Sequence, residues 1–392
     1  MNPSSTRHRH VMLVSRRFWP HGGHETSQIA RAYAAALHLA GCHVCVVTPS
    51  YGSIWPERFD FGEIPVFRPE RFPKTSWGMG GYQKRLTQWI AGHQHHLDTV
   101  LAIGGREEAA AVVNAAARRG CHSVARLCGT GARSDSQWWD SAHGPGRIGG
   151  RVRKADRLII ENAATHQAVV AAGVSGERIF RIPPWFPTIP CVDELTRTNA
   201  RNALLTVNAD LMVQREQPVV LSLQRLSRDS GVQVLRKAIL PLAHQFPNAQ
   251  FWFVGDGPAR DSIYTRLRSD GLRMSVVMPG TFASLEDVLH AGSIFVLPSV
   301  DDCVEYALPA AVAAGIPIVV PKGLNTTWIA KSDPPPQRFD DGDPDSLAES
   351  IATVLSSLPE QSESARVRRA QLIQNFPASI AVQSLMDALF DW

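Results

Sequence analysis

The sequence predicts an α/β protein of two Rossmann-like domains facing each other across a central cleft. Three observations carry that expectation. At 392 residues the chain exceeds one ordinary core and fits two domains, each burying its own apolar interior. Apolar strand-like runs alternate with helix-like stretches through the N-terminal half. A second alternating series fills the C-terminal half, and loops at the carboxyl ends of two such sheets form the usual ligand cleft.

The first element is the run 10–14, followed by a glycine-containing loop, the Ala-rich helical stretch 28–39 and the run 44–48. This is a β-α-β unit. Runs at 100–103 and 123–127 flank the helix-like stretch 107–119, and 157–160 follows a polar loop, so residues 1–190 read as a parallel sheet between helices. The polar stretch 191–217 shows little strand signal and is the expected connection. Runs at 219–223, 250–254, 275–278, 294–297 and 318–320 then build a second domain over 218–375. Helical periodicity closes the chain within 376–392.

Composition excludes several classes. With 44% hydrophobic and 19% charged residues the chain reads as globular, and no stretch is apolar for long enough to cross a bilayer. The opening MNPSSTRHRH is polar and basic, and the apolar run 11–14 is too short for a signal-peptide core. A cytoplasmic location is therefore expected, with peripheral contact at the inner face of the membrane as an addition. The six cysteines lack the spacing of a disulfide framework. Cys42 and Cys45 form a C-x-x-C, but in a strand-like run where positions three apart point to opposite faces, so buried packing is expected rather than a metal. A net charge of +4 permits anionic partners without selecting among them. Zinc-finger spacing, an RNP pattern and a dense basic helix are all missing, so nucleic acid is not an expected partner.

Candidate chemistry begins in FWPHGGHETSQIARAYAAAL. Gly22 and Gly23 stand between a strand and a helix, where backbone N–H groups can approach an anion or where a tight turn simply needs glycine. Both readings stay open on this pair alone. The histidine cluster GHQHHLD at 92–98 reads as a solvated helix end, so no metal is expected. In TSWGMGGYQKRLTQWIAG, Tyr82, Leu86, Trp89 and Ile90 recur at helical spacing with Lys84 and Arg85 on another face. That face packs against the N-terminal sheet or touches a membrane surface.

Three C-terminal segments make a more specific pattern: LSLQRLSRDSGVQVLRKAI, FWFVGDGPARDSIYTRL and IFVLPSVDDCVEYALPAAVAAGIPIVV. Together they resemble the donor-binding signature of the family 4 retaining glycosyltransferases, and GG-x-E-T and RLCGTGARSD in the N-terminal half resemble further parts of that family. The resemblance implies the GT-B fold, with the last helix returning to the N-terminal domain. It also implies a nucleotide-sugar co-substrate with no cofactor or metal, and sugar transfer with retention to an acceptor left open: a saccharide, a lipid-linked molecule or a small molecule.

Site residues follow from the resemblance position by position. Arg225 takes the place of the arginine that binds the donor diphosphate and steadies the leaving group, a task suited to a fixed fork of charged donors. Gly255, Asp256 and Gly257 take the turn near base and ribose. Asp302 falls on the first acid of E-x7-E, the second catalytic candidate, and Cys303, Val304 and Glu305 form the loop that faces sugar and phosphate. Two positions depart from the pattern. Ser230 stands where the family has a phosphate-binding lysine, and Ala310 where it has the ribose-binding glutamate. The small-residue helix around Ala310 is expected to follow the family backbone, so Ala310→Glu is expected to regain the ribose contact. The departures support an alternative: a catalytically impaired GT-B protein acting as a binding module or as the protein partner of an active glycosyltransferase.

Overall fold

The computed structural model describes residues 9–21, 25–129, 134–141, 143–161, 163–228, 230–300, 305–324 and 326–392. The chain divides into two compact units. The first comprises the N-terminal residues through Trp19, Thr26–Pro183 and Ser379–Trp392, and the second comprises Pro184–Ala378 with the short stretch ending at Glu25.

The first unit is built on β1 (His10–Ser15), β2 (His43–Val47), β3 (Arg58–Phe61), β4 (Ile64–Phe67), β5 (Thr99–Ile103), β6 (His122–Arg126), β7 (Arg157–Ile159) and β8 (Ile179–Phe180). They form one eight-stranded sheet in the order β3-β4-β2-β1-β5-β6-β7-β8. Every neighbouring pair is parallel except β3 with β4. The central strands β1 and β5 are short runs rich in Val, Leu and Ile and buried on both faces, as parallel strands covered by helices must be. The β3–β4 hairpin was not expected. Its strand RFDF alternates exposed and half-buried positions, a weaker signal than a continuous apolar run.

The last helix, Ala378–Phe390, packs in this first unit. Thr99 Oγ1 donates to the Leu389 carbonyl at 2.8 Å, and Arg157 Nη1 donates to that of Asp387 at 2.7 Å. Trp392 stacks on His122 with ring centroids 3.7 Å apart, and the Arg157 guanidinium lies 4.0 Å from a Trp392 ring centroid.

The second unit carries β9 (Val219–Leu223), β10 (Gln250–Val254), β11 (Val276–Gly280), β12 (Ile294–Val296), β13 (Ile318–Pro321) and β14 (Gln337–Phe339). Its six-stranded sheet runs β11-β10-β9-β12-β13-β14, parallel throughout. One apolar cluster contains Leu221, Trp252, Phe295 and the helix Ala307–Ala314, and another contains Val220, Phe251, Phe253 and Ile239. Neighbouring residues of one strand thus enter different clusters, as a pleated strand covered on both faces requires.

The stretch 191–217, expected as the connection, carries the helix Glu194–Val207 and falls in the second unit. Asp193 and Thr196 close a reciprocal capping box at its start. Ala200 and Leu204 enter the core, and Arg201 donates to the carbonyls of Gln214, Arg215 and Gln217 at 2.9 Å each. That arginine pins the loop after the helix to the helix itself. Burial lowers the Arg201 pKa to about 10, with Arg197 adding to the fall and Glu216 opposing it.

Candidate functional site

In the second unit the chain leaves β9 toward β10 and β11 on one side, then crosses back to β12 on the other. The carboxyl ends of β9 and β12 therefore flank the point where strand order reverses, the place where open α/β sheets bind ligands. Three segments lie at these strand ends: 224–228 with 230–231 after β9, Gly255–Ala259 after β10, and 297–300 after β12.

The first two loops are locked together through their backbones. Gln224 N–H donates to the Val254 carbonyl, Leu226 N–H to that of Asp256 and Ala259 N–H to that of Leu226, each at 3.0 Å. The contact leaves no room for side chains at the glycines. Gly255 has φ +146°, and a Cβ there would lie 1.8 Å from the Gln224 carbonyl oxygen, while one at Gly257 would lie 2.2 Å from that of Leu226. Asp256 turns its carboxylate onto the Gly257 N–H at 2.8 Å. These residues shape a loop, and the packing that requires them belongs to the protein itself.

Arg225 lies between buried Gln224 and buried Leu226 and is itself exposed. Its guanidinium makes no ion pair among the described residues. The backbones of Gln224 and Leu226 are fixed against the β10 loop, which leaves Arg225 between them on the exposed side.

Ser230 is buried, and its hydroxyl donates to the Ser227 carbonyl at 2.8 Å, closing a turn. Its neighbour Gly231 is pressed against Pro298, where a Cβ would come within 2.6 Å of the proline carbonyl carbon. The β9 and β12 loops thus touch at this point. Glu305 is half-buried. At the start of the helix Ala307–Ala314, the Glu25 carboxylate accepts the Tyr306 N–H at 2.6 Å and lies 3.4 Å from that of Ala307. A carboxylate on these N–H groups satisfies helix-end donors and complements the helix dipole. Gly22, Gly23, Asp302, Cys303 and Val304 lie outside the described residues.

Ala310 lies in the helix Ala307–Ala314. It is fully buried, as are Leu308, Ala311, Ala313 and Ala314, and the helix is covered on every side. The position packs in the core beside Leu221 and Phe295 strands rather than at an open surface.

The carboxyl edge of the first sheet holds two buried polar clusters that the sequence reading missed. Arg16, just after β1, pairs with Glu107 and with Glu108 at 2.8 Å, and the Tyr82 hydroxyl donates to Glu108 at 3.0 Å. Burial alone would push the Arg16 pKa down, but the two carboxylates outweigh it and hold the guanidinium charged. Near the ends of β6 and β7, Arg126 donates to Glu161 at 2.6 Å, to the Tyr33 hydroxyl at 3.2 Å and to Cys128 Sγ at 2.9 Å. The Asp135 carboxylate accepts the N–H groups of Gly105 at 2.6 Å and Cys128 at 2.9 Å. The paired Glu107-Glu108 opening a helix was the available signal.

The helix Met79–Ala91 buries Tyr82, Leu86 and Ile90, and Trp89 tilts against Phe67. Its apolar stripe is therefore core-facing, which removes that stripe as a membrane surface. In the histidine cluster, His93 packs against Trp89 with centroids 5.3 Å apart and His96 contacts Asp98 at 3.0 Å. Among the described residues no group of three His, Cys, Asp or Glu is placed to hold a metal, and no helix is long and apolar enough to cross a membrane.

Residues 217–357 match the family model described as Glycosyl transferases group 1. Among solved structures, the chain is similar to sucrose-phosphate synthase from Thermosynechococcus elongatus, with a TM-score of 0.75 and 17% identity over 98% of this chain and 100% of that one. It is also similar to Anabaena HepE, solved in complex with UDP-glucose, with a TM-score of 0.71 and 17% identity over 98% and 100% of the two chains. Among curated proteins, it is 21% identical over 208 residues to the sulfoquinovosyl transferase SQD2 of Arabidopsis thaliana, covering 52% of this chain and 38% of that protein. It is 27% identical over 167 residues to the lipopolysaccharide core biosynthesis glycosyltransferase LpsD of Rhizobium meliloti, covering 43% and 47% respectively. The chain spans less than half the length of these curated relatives. The stretch that matches the group 1 model lies in the second unit, and the two α/β units share the GT-B fold of these solved structures.

Proposed function

We propose that the chain transfers a sugar from a nucleotide-sugar donor to an acceptor with retention of configuration. The observation that carries this reading is Arg225, an exposed guanidinium held at the strand-order reversal of a group 1 glycosyltransferase domain. Its neighbours are fixed by backbone contacts, so the charge is presented without reorganisation, the condition under which it stabilises a developing anion best. In the proposed reaction the bond from the anomeric carbon to the donor phosphate breaks and Arg225 takes up the charge of the departing diphosphate. The acceptor hydroxyl then forms the new bond on the face just vacated and gives its proton to that diphosphate.

Asp302 would contact the transferred sugar, with Cys303, Val304 and Glu305 around the phosphates, while Gly22 and Gly23 would bring backbone N–H groups to the same ligand. Gly255, Asp256 and Gly257 would contribute their loop beside base and ribose. UDP-linked sugars are the first donors to test, because HepE was solved with UDP-glucose. Calorimetry with UDP-, GDP- and ADP-linked sugars, followed by a donor-hydrolysis assay, decides the matter. Binding together with slow release of free sugar supports transfer; no binding of any nucleotide would remove the reading.

Buried Ser230 and fully buried Ala310 favour a second reading, a catalytically impaired protein that binds a ligand or partners an active enzyme. Neither position offers the charge that the resembling family uses. Nucleotide binding without hydrolysis or transfer across a panel of acceptors would select it.

A further inference from the structure

The amino end of the first sheet, opposite its carboxyl edge, encloses a cavity of about 510 Å³ with His10, His38, His43, His93, His95 and His96 in its walls. Imidazole is the side chain whose charge ordinarily changes between about pH 5 and 8, so a wall built of it is sensitive to mild acid. His93, His95 and His96 stand in the loop 92–98, which joins the helix Met79–Ala91 to β5. The rings are in contact rather than scattered. His10 stacks on His43 with centroids 4.8 Å apart and meets His96 edge-on at 5.8 Å. His93 is half-buried, and its ring lies 5.4 Å from that of His95, 5.3 Å from Trp89 and 5.8 Å from Phe67.

One cation holds this loop. Arg119, the last residue of the helix Glu107–Arg119, donates to the carbonyls of Ala91 at 3.1 Å, of His93, and of His95 at 2.7 Å. The guanidinium that fixes the loop therefore opposes a proton on His93 or His95. An imidazolium just past a helix end ordinarily gains from the last carbonyls, but here Arg119 already occupies them. The acids close by are engaged elsewhere: Glu63 contacts His38 at 3.1 Å, and Asp98 contacts His96 at 3.0 Å and accepts the His10 N–H at 2.8 Å. Arg58, over the Phe67 ring at 5.5 Å, adds a further positive charge. His93 has no carboxylate partner among the described residues. Burial pushes its pKa down, and His95 and Arg119 push the same way.

We propose that the loop 92–97 is an acid-released latch on this cavity: it stays closed while His93 is neutral and lifts from Trp89 and Phe67 when that imidazole takes a proton beside Arg119 and His95. The stability of the closed loop is complete above the ordinary imidazole value of 6.5 and falls as pH drops through the lowered folded value, because the open loop binds the proton more tightly. The latch belongs to the amino end of the sheet and does not depend on the proposed transfer.

Hydrogen–deuterium exchange of the full chain at about pH 7.5 and about pH 5.5, corrected for the intrinsic pH dependence of exchange, reads the latch directly. Amides of the loop are expected to exchange at least about threefold faster in the acid sample, with β1 and β5 unchanged as internal controls. His93→Gln, uncharged under both conditions, is expected to abolish that difference, whereas His38→Gln should leave it in place because His38 is tied to Glu63. Titration of the imidazole signals by NMR in the parent gives an independent reading, with His93 expected to take its proton below the ordinary value. Equal protection in both samples, acid loosening that survives His93→Gln, or a His93 that protonates at or above 6.5 would overturn the inference. So would equal loosening of β1 and β5, which would assign the acid sensitivity to the whole unit.

Discussion

The backbone at Gly255 passes so close to Gln224 that a Cβ at position 255 would lie 1.8 Å from the Gln224 carbonyl oxygen. That contact, with Gly255 at φ +146°, joins the β9 and β10 loops into one body and sets the direction of Arg225. Gly255→Ala should therefore destabilise the second unit by about 2–4 kcal/mol, through strain at a glycine-only backbone conformation and displacement of the β9 loop. Urea unfolding followed by circular dichroism measures this. Unchanged stability would mean that the two loops separate readily and that Arg225 is not held.

Arg225→Ala separates structure from function. The side chain is exposed and unpaired among the described residues, so its loss should change stability by no more than about 0.5 kcal/mol. Removing one charge-assisted contact of roughly 1.5–3 kcal/mol should weaken donor binding or turnover by about one to two powers of ten. Arg225→Lys should recover only part, since a point charge replaces a bidentate fork. Parent-like binding and turnover in the alanine variant would exclude the assigned role.

The contrast between legible and illegible parts has a physical basis. Strands β1, β5, β9 and β10 were readable because both faces are buried and the sequence must be continuously apolar. Strands β3, β8 and β14 are edge or half-buried elements of two to four residues, too short and too mixed to stand out. The helix Glu194–Val207 buries only Ala200, Arg201 and Leu204, so its polar majority reads as a connection. At the site, resemblance located Arg225, but nothing in a one-dimensional pattern shows that Gln224 and Gly255 are in contact. The Arg16, Tyr82 and Glu108 cluster joins residues far apart in sequence, and no one-dimensional pattern brings the Tyr82 hydroxyl to Glu108.

Cys45 provides a pH-dependent check on the first unit. Burial pushes its thiol up to about 12 from an ordinary value of 9.0. At pH 8 that difference leaves about a thousandfold less thiolate, so alkylation by iodoacetamide in the folded state should be slower by a similar factor than after denaturation. The sign for stability follows. A raised folded pKa contributes stability that is complete below pH 9 and is lost as pH rises toward 12, because the unfolded chain ionises first. Cys45→Ala should flatten that part of the alkaline stability profile. Rapid labelling of Cys45 at pH 8, read by peptide mass spectrometry, would show that the strand is not packed as described.

Ala310→Glu is the sharpest test of how far the donor pocket follows the resembling family. On sequence grounds the substitution restores a ribose-binding carboxylate. The structure instead makes position 310 fully buried, within a helix whose eight residues are all buried and beside Leu221 and Phe295. A glutamate there must ionise without a partner or force the helix outward. An uncompensated buried charge costs about 3–5 kcal/mol, and added bulk in a packed core about 1–3 kcal/mol more. The variant should therefore melt well below the parent and bind nucleotide-sugar no better, while Ala310→Ser, nearly the same size, should stay folded at a cost of about 1–2 kcal/mol. Thermal melting and calorimetry with UDP-glucose read both effects. A glutamate variant of parental stability that binds the nucleotide more tightly would mean that the helix opens toward a ligand, and the buried position described for Ala310 would be wrong.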